Sequence, residues 1–178
     1  MARPRLTGVL LVGGASSRFG SPKSLARLGE ETLAERVWRT LGAACDERLA
    51  VGKRSDALEL PFEVVDDGVE TRAALAGIVA GVRAARHAVA VVVPVDIPLV
   101  TPRVLRRLGE DCAEAAAPVG EPLPAALRKT ALPRLEARLL AGRLALHEAL
   151  AELETRRVPV DPVLLTNVNT PDDLRRLA

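Results

Sequence analysis

The chain has 178 residues, of which 48% are apolar and 27% are charged, a balance typical of globular rather than disordered proteins. Its formal net charge is only +2, and acidic and basic residues are interleaved, which argues against a nucleic-acid-binding face. No signal-peptide pattern follows Met1–Arg5, and no run approaches the roughly 18 apolar residues of a membrane span. We therefore expect a single cytoplasmic domain over residues 1–178, with no membrane association.

The first half of the chain predicts strands that alternate with helices. Residues 7–12 (TGVLLV) form a short apolar run typical of a buried strand, and residues 13–20 form a glycine- and serine-rich loop after it. Thr32 and Glu35 have the spacing of a capping box, which predicts the start of an amphipathic helix that ends near Ala44. Strands are expected next at 47–51 and 62–65, followed by a helix at 73–86.

The second half contains the strongest predicted strand. Residues 88–95 (AVAVVVPV) are apolar on both faces, as in a central parallel strand covered by helices. Thr101 and Pro102 predict an N-cap and the first residue of a helix. Further strands are expected at 115–119, 123–127 and 155–160, and further helices at 130–140, 144–153 and from Thr170 onward.

The alternation of these elements predicts the fold class. Helices that follow strands cover both faces of a sheet, so we expect an α/β fold with three layers (α/β/α) and a mostly parallel sheet. The proline-rich residues 120–133 are where a departure from regular winding is predicted.

The loop from Leu11 to Lys23 is the first candidate site. Its glycines, Gly13 and Gly14 among them, let the backbone approach a ligand closely, and successive amides can surround phosphate oxygens. Arg18 and Lys23 add positive charge for a polyphosphate, and Lys23 is one of three lysines in this arginine-rich chain. The glycine spacing is neither that of a dinucleotide fingerprint nor that of a Walker loop. A plain glycine turn is the alternative interpretation.

The second candidate is the carboxylate Asp96, at the end of the predicted central strand. Ligands of open α/β sheets bind outside the carboxyl ends of the strands. One carboxylate combined with substrate phosphates is a typical Mg²⁺ site, because this ion keeps several waters and needs few protein ligands. An aspartate that caps a strand-end turn is the alternative. Asp66 and Asp67 follow another strand, where they suit a ribose, a base or a metal ion, or only a solvated turn.

Both asparagines of the chain, Asn167 and Asn169, lie two positions apart before the last predicted helix. In an extended segment this spacing puts them on one face. Amide oxygens bind hard cations, and amide groups hydrogen-bond to heterocycles, so a ligand site is predicted here. A polar loop without a ligand is the alternative.

The remaining reactive side chains form no recognisable pattern. Cys45 and Cys112 are isolated, which suits buried thiols in a reducing cytosol better than a disulfide or a zinc site. His87 and His147 lie in helical stretches without ligand spacing, so surface positions are expected. The sequence predicts no Ser-His-Asp or Cys-His arrangement for nucleophilic catalysis.

Together these motifs resemble a known family. The loop from Leu11 to Lys23, followed by residues 25–28 and Thr32-Leu33, resembles the nucleotidyltransferase signature. Asp96-Ile97-Pro98 is similar to the metal-binding aspartate segment of that superfamily, and the later motifs are similar to the molybdenum cofactor guanylyltransferase family. These later motifs are Pro122–Ala125 with Arg128, the helix at 131–140, and Asn167–Pro171. The resemblance covers nearly the whole chain and implies a Rossmann-like nucleotidyltransferase fold.

The resemblance implies a reaction and a set of site residues. GTP and molybdopterin would give the guanine dinucleotide form of the molybdenum cofactor and diphosphate, with Mg²⁺ as cofactor. The nucleotide-binding positions of the family fall on Leu11, Val12, Gly13, Gly14, Lys23, Lys53, Asp67 and Asp96. Catalytic roles are implied for Lys23, Asp96 and Arg18, with Asp96 as the metal ligand. Asn167 and Asn169 fall near the pterin, and Asn169 is also implied as a metal ligand.

The resemblance also implies partners, and differences from the family leave alternatives open. Transient contacts with molybdenum cofactor delivery proteins or apo-molybdoenzymes are implied, and we expect a monomer or weak oligomer. Pro22 stands where the family usually has Asp, Lys53 where a guanylyltransferase has Asn, and residues 73–77 read AALAG instead of GPLAG. A cytidylyltransferase of the same cofactor, or a sugar-phosphate nucleotidyltransferase, is therefore the alternative. A nucleotide-binding regulatory module without turnover is the third hypothesis.

Overall fold

Strands and helices alternate along the chain in the computed structural model, which describes residues 3–13 and 22–177. The strands are β1 (Leu6–Leu11), β2 (Arg27–Leu28), β3 (Glu31–Thr32), β4 (Glu47–Gly52), β5 (Val64–Asp66), β6 (Val89–Pro94), β7 (Ala115–Pro118), β8 (Ala125–Arg128) and β9 (Thr155–Val158). The α-helices are α1 (Leu33–Ala44), α2 (Ala74–Ala84), α3 (Pro102–Glu110), α4 (Leu132–Leu140), α5 (Leu146–Ala151) and α6 (Pro171–Leu177). The strands and helices predicted from the sequence are found, with shifted ends, and the small ribbon of β2 and β3 is an unpredicted addition.

Seven of the strands form one sheet in the order β5-β4-β1-β6-β8-β7-β9. The pairs β5–β4, β4–β1, β1–β6 and β7–β9 are parallel, whereas β8 runs antiparallel to both of its neighbours. The reversal at β8 lies within residues 120–133, where the prolines predicted a departure from regular winding. The expectation of a mostly parallel α/β sheet is confirmed.

Helices cover both faces of the sheet because its central strands are apolar on both sides. All six residues of β1 are buried. Leu6 and Leu10 belong to a buried cluster with residues of α1 and α3, whereas Val9 and Leu11 belong to a second cluster with residues of α2, α4 and α5. Successive side chains of a strand point to opposite faces, so β1 contributes to both clusters. The three-layer α/β/α arrangement is confirmed.

Local signals in the sequence set the starts of two helices. The capping box of α1 is formed: the Glu35 amide donates to Thr32 Oγ1 over 3.1 Å, and the Thr32 amide donates to Glu35 Oε2 over 2.8 Å. At α3, the Val104 amide donates to Thr101 Oγ1, and proline occupies the first helical turn. These contacts use backbone amides that have no partner inside a helix.

Helix α2 lies close to the central strand because it contains glycine at the contact. A Cβ atom at Gly81 would lie 2.4 Å from Val9 Cγ1, and one at Gly77 would lie 2.9 Å from Leu11 Cδ2. Both distances are too short for a carbon–carbon contact. The two glycines therefore set how closely α2 approaches β1, and with it the position of the start of α2 at the edge of the sheet.

The parallel strands end together at one edge of the sheet. Leu11 pairs with Val51 on one side and with Pro94 on the other, so β1, β4 and β6 finish at the same level. Asp66, at the end of β5, pairs with Gly52 at the end of β4. The loops that follow these four strands therefore meet at this edge, where open α/β sheets bind ligands. None of the helices in the described residues is long and apolar enough to cross a bilayer.

Candidate functional site

An open cleft of about 430 Å³ lies at the carboxyl edge of the sheet. This volume falls in the usual range for small-molecule sites. Its apolar lining includes Leu11, Val51 and Pro94 from three neighbouring strand ends and Gly77 from α2. Its polar lining includes Lys53, Asp67, Asp96 and Asn167. The cleft thus collects predicted site residues from five separate parts of the chain, around Leu11, Lys53, Asp67, Asp96 and Asn167.

Beside the cleft, three predicted site residues meet around the ammonium group of Lys23. Its Nζ lies 3.4 Å from Asp96 Oδ2 and 3.0 Å from Asn169 Oδ1. The two partners are 73 and 146 positions away in the chain. The side chains of Lys23 and Asp96 are 16% and 25% exposed, so the ion pair is accessible to a ligand from solvent.

A buried serine anchors Lys23 to the end of β1. Lys23 starts a 3₁₀ turn, Lys23–Leu25, and the hydroxyl of Ser24 donates to the Val12 carbonyl over 2.5 Å. The Val12 amide in turn donates to the Val51 carbonyl over 3.0 Å. Val12 is buried, and these bonds occupy both of its backbone polar groups, so the structure does not bring Val12 to the cleft. Sequence reasoning missed Ser24, since nothing in the local pattern distinguishes it from other loop serines.

The segment with the two asparagines is joined to the backbone of Asp96. The Val168 amide donates to the Asp96 carbonyl over 2.8 Å, and the Val168 side chain is fully buried. Its neighbours Asn167 and Asn169 are exposed, as expected for an extended segment with alternating side chains. Asn167 lines the cleft, and Asn169 reaches Lys23.

Asp173, in the first turn of α6, holds the backbone of this segment. Its Oδ2 accepts hydrogen bonds from the amides of Asn169 and Thr170 over 3.0 and 2.9 Å. The Asp173 amide donates to Thr170 Oγ1 over 3.1 Å, which completes a capping arrangement. The bond from the Asn169 amide is the main cause that lowers the pKa of the Asp173 carboxyl below its ordinary value. The last helix therefore positions Asn169 as well as closing the fold.

Lys53 and Asp67 line the cleft, but their charged groups bind each other. Lys53 Nζ lies 2.7 Å from Asp67 Oδ1, and both side chains are largely buried, at 9% and 6% exposed. Lys53 was predicted from the resemblance as a nucleoside contact. In the structure its ammonium is directed at Asp67 and at the carbonyls of Val69 and Thr71.

The oxygens around Lys23 fit a hard divalent cation. The carboxylate of Asp96 and the amide oxygen of Asn169 lie within hydrogen-bonding distance of one atom, so both can reach one position. Among the described residues, no group of three or more His, Cys, Asp and Glu side chains is placed to hold a metal ion. Such a site suits an ion that takes its other ligands from substrate phosphates and water, which is typical of Mg²⁺.

Comparison with known proteins assigns the family. Residues 8–158 match the family described as the MobA-like NTP transferase domain. The chain belongs to this family. It is therefore a nucleotidyltransferase of the MobA-like type, and the family resemblance found in the sequence is confirmed. A search of curated proteins gives no match.

Solved structures share the fold of this chain. Molybdopterin-guanine dinucleotide biosynthesis protein A from Archaeoglobus fulgidus is 29% identical, with a TM-score of 0.82 and 96% of each chain covered. Rv0371C from Mycobacterium tuberculosis H37Rv, solved in complex with manganese, is 24% identical, with a TM-score of 0.67 and 97% of each chain covered. The 2-C-methyl-D-erythritol 4-phosphate cytidylyltransferase from Thermus thermophilus shares the fold, at 18% identity, a TM-score of 0.72 and 96% of each chain covered.

The MobA-like chain has cleft residues that sequence reasoning did not single out. Arg72 and Glu121 line the cleft from opposite loops. Arg72 Nη2 donates to Asp56 Oδ1 over 2.7 Å, and this bond raises the pKa of the Arg72 guanidinium. Neither residue is part of a spacing pattern, since each reaches the cleft only through the path of its loop. Gly14 and Arg18, two predicted site residues, lie outside the described residues.

Proposed function

We propose that the protein transfers GMP from GTP to molybdopterin, forming the guanine dinucleotide form of the molybdenum cofactor and diphosphate, with Mg²⁺ as cofactor. The observation that carries the proposal is the convergence of Lys23, Asp96 and Asn169 beside a nucleotide-sized cleft in a MobA-like chain. The name of the A. fulgidus neighbour supports molybdopterin and guanine as the substrate classes. We assign the reaction to the cytoplasm, since Cys45 and Cys112 are both free thiols.

The proposed roles follow from the chemistry of phosphoryl groups. Lys23 binds the triphosphate, because its ammonium is a compact charge at the rim of the cleft. Asp96 and Asn169 hold Mg²⁺, which when bound supplies positive charge that neutralises the diphosphate leaving group. The manganese complex of the M. tuberculosis neighbour supports a divalent ion. Arg18 remains a predicted further source of positive charge.

The remaining residues orient the two substrates. Leu11 and Gly13 border the cleft at the end of β1, where their backbone would lie close to a bound nucleotide. Asn167 offers an amide to the pterin from the side of the cleft next to Asp96. Asp67 borders the opposite part of the cleft and is assigned to the nucleoside. Holding these groups in fixed positions lowers the entropy cost of bringing two phosphates together.

The proposed chemistry requires no strong general base. The attacking group is a phosphate monoester, whose second pKa is about 6, so it is already ionised near neutral pH. Catalysis then depends on holding its oxygen in line with the α-phosphorus and on neutralising charge. Lys23 would supply positive charge directly, and Asp96 would supply it through the divalent ion that it holds; neither role requires a proton acceptor.

A cytidylyltransferase of the same cofactor is the second candidate. It is favoured by Pro22 before Lys23 and by Lys53 in the place where a guanylyltransferase has Asn. Both enzymes would use the same phosphate and metal residues, so only the base-binding part of the cleft differs. Contacts with apo-molybdoenzymes or delivery proteins would allow transfer of either the guanine or the cytosine form of the cofactor.

Release of diphosphate with each of the four NTPs, with and without molybdopterin and Mg²⁺, tests the proposal. We expect release with GTP only when molybdopterin and Mg²⁺ are both present. A preference for CTP would replace the guanine assignment, and tight NTP binding without turnover would favour a regulatory module.

Asp96→Ala tests the metal assignment. The variant should lose turnover by at least about two orders of magnitude, while its circular dichroism spectrum stays that of the wild type. Unchanged turnover would remove Asp96 from the metal site. Asp111→Ala, at the C-terminus of α3, is the matched control and should turn over like the wild type.

A further inference from the structure

The ammonium group of Lys53 is enclosed by a single segment of the chain. It donates to Asp67 Oδ1 over 2.7 Å, to the Thr71 carbonyl over 2.8 Å, and to the Val69 carbonyl. A lysine ammonium has three donors, and these three acceptors match them. Because the side chain is only 9% exposed, a ligand in the cleft has little access to this group.

The three acceptors belong to alternate residues of the loop 67–71, which links β5 to α2. This loop contains no regular secondary structure, so its shape depends on hydrogen bonds to other parts of the chain. The Asp67 amide donates to the Gly52 carbonyl over 3.0 Å, and the Val69 amide donates back to Asp67 Oδ1 over 3.1 Å. The Gly68 amide donates to Asp66 Oδ1 over 2.7 Å, within the same turn. The other described bonds link the loop to Lys53 and its neighbour Gly52, or to Asp67, which itself binds Lys53.

This loop leads directly into one wall of the cleft. Asp67 borders the cleft at the start of the loop, and Arg72, Ala73 and Ala74 border it immediately after. Ala74 is also the first residue of α2. A change in the path of the loop would thus displace the wall while β4 and the body of α2, which belong to the buried core, stay in place.

We propose that Lys53 is a positioning residue for nucleotide binding: it holds the loop 67–71 so that residues 72–74 form the wall that contacts the nucleoside. Lys53 acts through the loop and does not itself read the base. This inference rests on the proposed function, since it takes the cleft to be the nucleotide site. It also explains why a lysine can replace the asparagine expected at this position without placing a charge against the base.

Removing the ammonium should loosen the loop before any ligand is added. Lys53→Met leaves the Asp67 carboxylate buried without its counter-charge and the carbonyls of Val69 and Thr71 without their donor. In the ligand-free protein, the hydrogen-bonded amides of Asp67 and Val69 should exchange with deuterium at least about tenfold faster than in the wild type. If Lys53 only contacted the base, its replacement would leave the exchange of these amides unchanged.

Lys53→Met should weaken binding of a whole NTP but leave binding of inorganic triphosphate nearly unchanged. With the NTP that the wild type uses, Lys53→Met should raise KM at least about tenfold and change kcat by less than about threefold. Binding of inorganic triphosphate with Mg²⁺ should change by less than about twofold, because Lys23 and Asp96 are untouched. Lys129→Met is the matched control: its Nζ donates to the Ala85 carbonyl, at the opposite edge of the sheet, and neither exchange nor KM should change.

A double-mutant cycle shows whether Lys53 acts through Asp67. Lys53→Met combined with Asp67→Asn should weaken nucleotide binding no more than the stronger single variant, because both break the same contact. Additive effects would overturn the inference. If Lys53→Met fails to fold by circular dichroism, Asp67→Asn alone serves as the test, and unchanged loop exchange in that variant would overturn it. If the wild type binds neither GTP nor CTP, the proposed function fails; if it binds one and the variants match it, only the positioning role fails.

Discussion

Replacing Lys23 by methionine separates two electrostatic effects that act in opposite directions. Lys23 Nζ lies 3.4 Å from Asp96 Oδ2 and 3.0 Å from Asn169 Oδ1, the two oxygens proposed to hold the divalent ion. The ammonium repels a cation from these oxygens, and it is also the proposed partner of the triphosphate. We therefore expect Lys23→Met to weaken binding of an NTP and to tighten binding of a divalent cation alone.

General magnitudes for charged groups at this separation give the expected size of both effects. The Lys23 ammonium and the Asp96 carboxylate, taken as unit charges 3.4 Å apart, attract each other by about 5 kcal/mol at an effective dielectric constant of ~20, before any desolvation is counted. Partial exposure of both side chains reduces this value, and a hydrogen bond to a charged group contributes ~1.5–3 kcal/mol net. NTP affinity should thus fall by about 10- to 150-fold. Relief of ~1 kcal/mol of repulsion would tighten cation binding about fivefold.

Two measurements on the same variant check the reasoning. Electron paramagnetic resonance of free Mn²⁺ gives the affinity for the cation without nucleotide, and calorimetry in EDTA gives the affinity for the NTP without metal. Lys129→Met should match the wild type in both. Weaker or unchanged Mn²⁺ binding by Lys23→Met would refute the idea that the ammonium and the cation compete for the same oxygens, whatever happens to NTP affinity.

Two further predictions concern the thiols and the last helix. Desolvation raises the pKa of the half-buried Cys45 thiol to about 12 and that of the buried Cys112 thiol to about 11. Both should therefore react slowly with a disulfide reagent at pH 7.5 and rapidly in guanidinium, and fast reaction of the folded protein would contradict the raised pKa values. The lowered pKa of Asp173 stabilises the folded state above the ordinary carboxyl value of about 3.9, and this stabilisation is lost as pH falls through the folded value. The thermal unfolding temperature should therefore fall more steeply from pH 7 to pH 3 in the wild type than in Asp173→Asn, and equal slopes would argue against the contribution of this carboxylate.

Local patterns in the sequence were sufficient to predict the class of the fold. The apolar runs of β1 and β6 are buried on both faces, and the capping box of α1 forms as its spacing predicts. Such features depend on neighbouring residues and on periodicity, so they can be read without knowledge of distant contacts. The same is true of the glycine-rich loop with Lys23 and of Asp96 after β6, which carried the family resemblance.

The contacts that define the site depend on packing across the chain. Lys23 meets Asn169, 146 positions away, because the segment around Val168 is buried against Asp96. Ser24 has no sequence signal, and the sequence singled out Asp67 and Lys53 without indicating that they bind each other. These partners are set by how β1, β4 and α2 pack together. The order of amino acids thus establishes which chemical groups this protein has and on which elements they lie. Which of these groups face one another follows from the folded arrangement, because side-chain distances are set by packing between elements and not by spacing along the chain.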